Sequence, residues 1–415
     1  TLIAPAADLA ENGYAVGYQL HSDLVEYEDF LKKYEATAAI FYPKSRPLRL
    51  NALFKQPDLA ATLRRIAADG ADEFYEGETA GLIVRQMNAS GGLITMADLA
   101  NYQAVERPAV EFDYRDVHVI TMGPPSGGGI ALAQILNQLE RVDVPDLGYH
   151  SAGHVHAMAE AQKRAFADRT AYLGDPDFIK VPVQELISDD YAARRWGDFS
   201  ELWATPGKDV ANGDLAGAYE SEYTTHFSVV DRHGNAVSVT TTINGLYGCG
   251  VAVAGAGFLL NNEMDDFTIK LANRNMWSLV GGVPNLIEPG KRMLSSMTPT
   301  IVTRDDKLML VTGSPGGGRI ITTVAQVISN LVDYEMDIKQ AIDAPRIHHQ
   351  WLPDIIQTER FTLSRETRQQ LARMGHVVQE RDGIIGAANS IYIDPANNWK
   401  HGAFDSRREA GAAGY

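Results

Sequence analysis

The stretch TTHFSVV-DRHGN-AVSVTTTIN runs without a break from Thr224 to Asn244. Its outer pieces are rich in threonine and valine, and its five-residue middle is polar and carries Gly234, so it reads as a β-hairpin. If Val230 faces Ala236 across the loop, the antiparallel register also sets Thr224 opposite Thr242, because the two pairs of numbers have the same sum. Strand side chains alternate, so Thr242 and Asn244 share one face, and Val237, Val239 and Ile243 are expected to point the other way into a core. Two hydroxyls and an amide are thereby gathered at one end of the hairpin. Taken alone, that face also fits an ordinary hydrogen-bonded strand surface.

On either side the pattern repeats a strand, a glycine-rich turn and a helix. Val117, Val119 and Ile120 precede PPSGGG (124–129), after which Leu132, Ile135, Leu136 and Leu139 fall on one helical face. Leu308–Val311 precede GSPGGG (313–318), followed by the stripe Val324, Val327, Ile328 and Leu331. Hairpin signals flank Arg304–Lys307, and Ile391–Ile393 approaches the turn 394–398. Earlier in the chain, Pro57-Asp58 opens a helix that Gly70 closes, and Thr95 with Asp98 forms a capping box. Helices dominate the first half and strands the second. The expected class is α+β, a four-layer αββα sandwich, although periodicity alone also describes other α+β arrangements.

The 415 residues are 45% hydrophobic, enough for one large core or two smaller ones. A formal net charge of −16 sets nucleic acid and anionic lipid surfaces aside as partners. The lone Cys249 excludes an internal disulfide and a cysteine-based zinc site. No stretch approaches the length of a membrane span. The chain opens on Thr1, and Leu9–Gly13 resembles the last turn of a helix and its cap, so the start reads as an entry into the middle of a longer precursor.

Two further segments carry chemistry-bearing side chains. LLNNEMDDF (259–267) places two amides and three carboxylates after an apolar strand, and SSMTPT (295–300) places hydroxyls before another. Each also reads as an ordinary loop; the acidic run completes no EF-hand spacing, and GSPGGG lacks the lysine of a phosphate loop. His154, His156, His348 and His349 form no metal-ligand spacing with a carboxylate or cysteine, so they read as structural and no metal is expected.

Together, TTHFSVVDRHGNAVSVTTTIN, LLNNEMDDF, LSSMTPTIV and TGSPGGGRIITT resemble the ordered signatures of the γ-glutamyltranspeptidase family. The likeness extends through DEFYEG, GGLITMADLANY, PPSGGG, YLGDPDF, APRIHHQWLPD and the terminal AGY. It implies an N-terminal-nucleophile hydrolase with the αββα sandwich, made as a precursor that cuts itself between Tyr223 and Thr224. The products would be a large-subunit portion, 1–223, and a small subunit, 224–415, forming one αββα domain and remaining together as a heterodimer.

The same resemblance assigns roles. Thr224 would be the nucleophile, its freed α-amino group the base, Thr242 the group orienting that terminus, and Gly316 and Gly317 the oxyanion hole. Asn244, Glu263 and Asp266 would hold the α-amino group of a γ-glutamyl donor, and Ser295 and Ser296 its α-carboxylate. The segment from Lys270 to Val283, with Trp277, resembles a lid. The implied activity is transfer of the γ-glutamyl group of glutathione or glutamine to water, an amino acid or a peptide, without a cofactor, in the periplasm or outside the cell. The alternatives are a related acylase acting on glutaryl-cephalosporins or poly-γ-glutamate, and a non-catalytic γ-glutamyl-binding homologue. One departure stands out: family members hold the donor carboxylate mainly with an arginine from an N-terminal part that no stretch of this chain matches.

Overall fold

The computed structural model describes residues 2–210, 224–271, 275–276 and 278–414. They divide into two compact units, Thr1–Glu106 with Tyr247–Asn262, and Arg107–Leu246 with Glu263–Tyr415.

The first unit is helical, and its ends follow the sequence signals. The helix Ala4–Asn12 stops at Gly13, whose N–H donates to the Leu9 carbonyl at φ 87°. Pro57 begins the helix Pro57–Asp69 and Gly70 (φ 79°) ends it. Thr95 and Asp98 exchange the two hydrogen bonds of a capping box. The segment 247–262 is tied in by buried hydroxyls: Thr37 Oγ1 donates to the Gly250 carbonyl at 2.7 Å, and Thr62 Oγ1 to that of Ala256 at 2.9 Å. Val253 and Ala256 join Ala80, Ile83 and Met87 in a small apolar cluster.

The second unit is built on an antiparallel sheet. Its elements, in chain order, are β1 (Val110–Tyr114), β2 (Val117–Thr121), α1 (Gly128–Leu139), α2 (Ala152–Tyr172), β3 (Thr225–Val230), β4 (Ala236–Thr241), β5 (Thr300–Arg304), β6 (Lys307–Thr312), α3 (Arg319–Val332), β7 (Asn389–Ile393) and β8 (Lys400–Phe404). Six strands run in the order β8-β7-β6-β5-β2-β1, every pair antiparallel. Both strand-turn-helix repeats are present, as β2 to α1 and β6 to α3. The β5–β6 turn places Asp305 and Asp306 at positive φ, the geometry that matches the twist of a two-residue hairpin.

Alternation decides which face is covered. Val119, Val302 and Leu310 point into a core cluster shared with α1, α2 and α3. Among the described residues, none from β3 or β4 belongs to that cluster. The β3–β4 hairpin instead lies over the inner strands from the other side: Ser228 Oγ donates to the Val311 and Asn389 carbonyls (3.3 and 3.0 Å) and Ser238 Oγ to that of Thr312 (2.9 Å). Helices, sheet and second β-layer are therefore stacked in this unit, in agreement with the α+β class.

The face of the hairpin that is buried is the reverse of the expectation. Phe227, Val229 and Val237 are 47, 49 and 51% exposed, while His226, Ser228, Ser238 and Thr240 face the sheet. The reason is steric and polar at once. Short hydroxyl side chains let the hairpin settle onto the carbonyls of the strands beneath and satisfy them, which valines in those positions cannot do.

Candidate active site

The hairpin register is the one its loop length dictates. Thr225 pairs with Thr241 and Val230 with Ala236, and one step beyond the ladder Thr224 Oγ1 donates to Thr242 Oγ1 at 3.4 Å. Thr242 Oγ1 also accepts the Asn244 N–H at 2.8 Å. That bond holds Asn244 in a left-handed turn (φ 68°), a conformation asparagine tolerates, and leaves the residue 2% exposed. Tyr223, on the other side of the expected scissile bond, lies outside the described residues, as does Trp277.

The acidic run forms a short helical turn, Glu263–Asp266. Burial pushes the Glu263 carboxyl up to about 7, against the pull of a hydrogen bond from the Asn244 main chain. Asp266 rises to about 8, first through burial and then through the neighbouring charge of Glu263, with Arg169 and Asn275 acting in the opposite direction. Asn275 Nδ2 donates to Asp266 Oδ1 at 2.8 Å and the Met276 N–H to Asp265 Oδ2 at 2.6 Å, so the described part of the lid-like segment is tied to this turn. Two neighbouring carboxyls are thus both held above their ordinary range, each first by burial.

Ser295 and Ser296 are held from behind by the first glycine-rich turn. The Ser295 N–H donates to the Pro125 carbonyl (3.0 Å), the Gly127 N–H to the Ser295 carbonyl (2.9 Å) and Ser126 Oγ to that of Met297 (2.7 Å). Gly128 makes this approach feasible, since a Cβ there would stand 2.3 Å from Thr298 Oγ1 and 2.5 Å from the Met297 carbonyl. Both serine hydroxyls already accept a donor from the protein: Ser295 Oγ that of the Met297 N–H (3.1 Å), Ser296 Oγ that of Arg169 (3.0 Å). Each is thereby oriented to give its own proton to an anion.

In the second turn Gly316 (φ 136°) and Gly317 (φ 56°) have backbones that suit glycine. Among the described residues neither N–H donates a hydrogen bond. Both lie at the N-terminal end of α3, where the helix dipole favours negative charge.

One small cavity brings most of these groups together. Thr224, Thr242, Asn244 and Asp266 line it with Ser295, Ser296 and Gly317. Glu263 and Gly316 are not in its wall; Glu263 connects through the Asn244 main chain. Arg169 lines the same cavity, and no motif drew attention to it. The signal available was weak: it is one of several charged residues on a helix whose middle is buried all round.

Of the histidines, His156 Nδ1 meets His376 Nε2 at 2.7 Å, near Glu160. This cluster has the residue types of a metal site, but Glu160 is already bound by Lys163 and Arg164, and His156 Nε2 by the Ser200 carbonyl. Burial would raise the Glu160 carboxyl, yet the two cations win and hold it at about 2. An added divalent cation would have to displace charges that already balance.

The family model described as gamma-glutamyltranspeptidase matches residues 1–415. The glutathione hydrolase proenzyme of Escherichia coli (strain K12) is 46% identical over 407 residues, covering 98% of this chain and 70% of the relative. That of Pseudomonas sp. (strain A14) is 43% identical over 421 residues, covering 99% and 73%. Among solved structures, a cephalosporin acylase from Bacillus halodurans superposes with a TM-score of 0.84 at 28% identity, covering 99% of this chain and 74% of that one.

Proposed function

The chain belongs to the γ-glutamyltranspeptidase family, and from that premise we propose how its own residues carry the activity of a self-processing γ-glutamyl hydrolase and transferase. Maturation begins when Thr224 Oγ1 attacks the Tyr223 carbonyl carbon and the peptide nitrogen leaves as the Thr224 α-amine. Water then hydrolyses the resulting ester, so that residues 1–223 end in a carboxylate and Thr224 begins the second fragment. A threonine hydroxyl is a weak nucleophile without a base beside it; the new amine, with an ordinary pKa of roughly 8, supplies one on the same residue. Thr242, within hydrogen-bond reach of the Thr224 hydroxyl, orients that terminus.

In turnover the amine takes the Oγ1 proton as the oxygen attacks the γ-carbonyl of the donor. The N–H groups of Gly316 and Gly317 receive the developing negative oxygen. Collapse expels the leaving amine with the proton and leaves a γ-glutamyl ester on Thr224. Water or the amine of an amino acid or peptide resolves that ester, giving hydrolysis or transfer. Asn244, Glu263 and Asp266 hold the donor ammonium, and the Ser295 and Ser296 hydroxyls hold its carboxylate. Glutathione and glutamine have both groups and the γ-amide.

The observation that carries this reading is the single cavity in which Thr224 and Thr242 meet the pair Asn244 and Asp266, with Ser295, Ser296 and Gly317 in the same wall. A glutaryl donor has no ammonium for that pair to meet, so the acylase alternative leaves it without a purpose. The test is a gel together with a donor panel. The protein should run as two fragments, the Thr224→Ala variant as one, and the mature form should release p-nitroaniline from γ-glutamyl-p-nitroanilide far faster than from glutaryl-p-nitroanilide. An unsplit wild-type chain with no turnover, or equal rates on the two anilides, would overturn it. Among the described residues no helix is long and apolar enough to cross a membrane; a periplasmic or secreted location is the family expectation, which cell fractionation tests.

A further inference from the structure

Arg169 sits on α2 with 4% of its surface exposed and makes no ion pair among the described residues. Burial lowers its affinity for its proton, and the nearby charge of Asp266 works against that. Nη2 donates to Ser296 Oγ at 3.0 Å and reaches the Ser295 and Leu294 carbonyls at 3.4 and 3.5 Å. Nε has no partner. Gly127 leaves room for the stem, since a Cβ there would stand 3.2 Å from Arg169 Cγ. The same side chain lines both the nucleophile's cavity and a second one behind it, of about 70 Å³, whose wall includes Asp265 and Asp266.

This placement puts a positive charge against the Ser296 hydroxyl in a cavity that Asp266 also lines, so each charge of an α-amino acid head group has an opposite one within the same wall. We propose that Arg169 is a positioning residue for the donor α-carboxylate: it fills the lone pair of Ser296 Oγ, turns that hydroxyl's proton toward the pocket, and supplies the cation that the carboxylate faces through the serine. The inference rests on the γ-glutamyl reading of the site. Through Nη2, which Ser296 Oγ and two backbone carbonyls engage, Arg169 acts by way of the serine segment it holds. It also gives this chain a cation on the carboxylate side from within residues 107–246.

The experiment compares γ-glutamyl-p-nitroanilide with 4-aminobutyryl-p-nitroanilide, which keeps the ammonium and lacks the carboxylate. Arg169→Met should raise KM for the first at least tenfold with kcat changed much less, and leave KM for the second within about twofold. Arg169→Lys, which keeps the charge, should recover part of the loss. In a Ser296→Ala background, Arg169→Met should cost clearly less than in the wild type, because the two act as one unit. Equal losses on both donors, or additive effects in the double variant, would overturn the proposal. Should Arg169→Met fail to mature into two fragments, the comparison of wild type, Arg169→Lys and Ser296→Ala decides it on the same KM criterion. A wild type that turns over neither anilide would instead refute the γ-glutamyl reading itself.

Discussion

The Thr224 and Thr242 hydroxyls meet at 3.4 Å one step past the end of the β3–β4 ladder, where Thr242 also accepts the Asn244 N–H at 2.8 Å. A single hydroxyl thus links the residue that starts the hairpin to the buried turn that ends it. The hairpin ladder behind them sets their separation, because every pair from Thr225–Thr241 to Val230–Ala236 is in register.

Thr242→Val keeps the shape of the side chain and removes the acceptor. It removes one acceptor of the Asn244 N–H, which Glu263 also engages, and leaves Thr224 Oγ1 without its neighbour, a loss of about 0.5 to 1.5 kcal/mol. Self-cleavage should slow at least tenfold, and Thr242→Ser should restore it; a time course of fragment appearance on a denaturing gel checks both.

Donor binding should depend on pH through Glu263 and Asp266, raised to about 7 and about 8. Above that range both are ionised and attract the ammonium; below it they are neutral and do not. KM for γ-glutamyl-p-nitroanilide should therefore rise as pH falls through 8 to 6, and Glu263→Gln should flatten the limb near 7. A pH series of initial rates measures this.

The same groups affect stability with the opposite sign to an ordinary salt-bridged acid. Their folded values lie above the unfolded ones, so between the ordinary carboxylate range and about 8 the folded state binds more protons, and raising the pH through that window destabilises the ligand-free protein. A bound α-amino acid head group cancels the effect. Thermal shift on adding L-glutamate should be larger at pH 8.5 than at pH 6.

Gly317→Ala forces a side chain into φ 56°, at a cost of roughly 1 to 2 kcal/mol, and disturbs an oxyanion donor. Its kcat should fall by about 10²-fold or more, with fragments still formed slowly. Gly128→Ala acts elsewhere: its Cβ would collide with Thr298 Oγ1 and the Met297 carbonyl, displacing the serine segment, so melting temperature should fall and KM rise. Melting curves and steady-state kinetics separate the two.

Asp405 holds the far end of the sheet. It accepts Arg346 Nη2 at 2.7 Å, the Ala388 N–H at 2.9 Å and the Arg407 N–H at 3.0 Å, and both Asp405 and Arg346 are 1% exposed. Asp405→Ala strands a buried guanidinium and should cost about 3 to 5 kcal/mol. Replacing both Arg346 and Asp405 with apolar residues should cost less than the single change, as denaturant unfolding would reveal.

Local signals were enough for the parts of this protein that depend on neighbours in the chain. Loop length set the β3–β4 register and hence the Thr224–Thr242 pair; caps placed Gly13, Gly70 and Thr95; two glycine turns marked β2 to α1 and β6 to α3. Such features rest on alternation and on hydrogen bonds a few residues apart, which the order of residues contains. Tertiary structure alone decided which hairpin face is buried, since valine and serine faces alternate equally well and only the carbonyls of β6 and β7 favour hydroxyls. It alone brought Arg169 from α2 to Ser296, 127 positions away, and set PPSGGG behind the serines. Raised carboxyls at 263 and 266 likewise come from burial, a property of what packs around a residue and not of the residue itself.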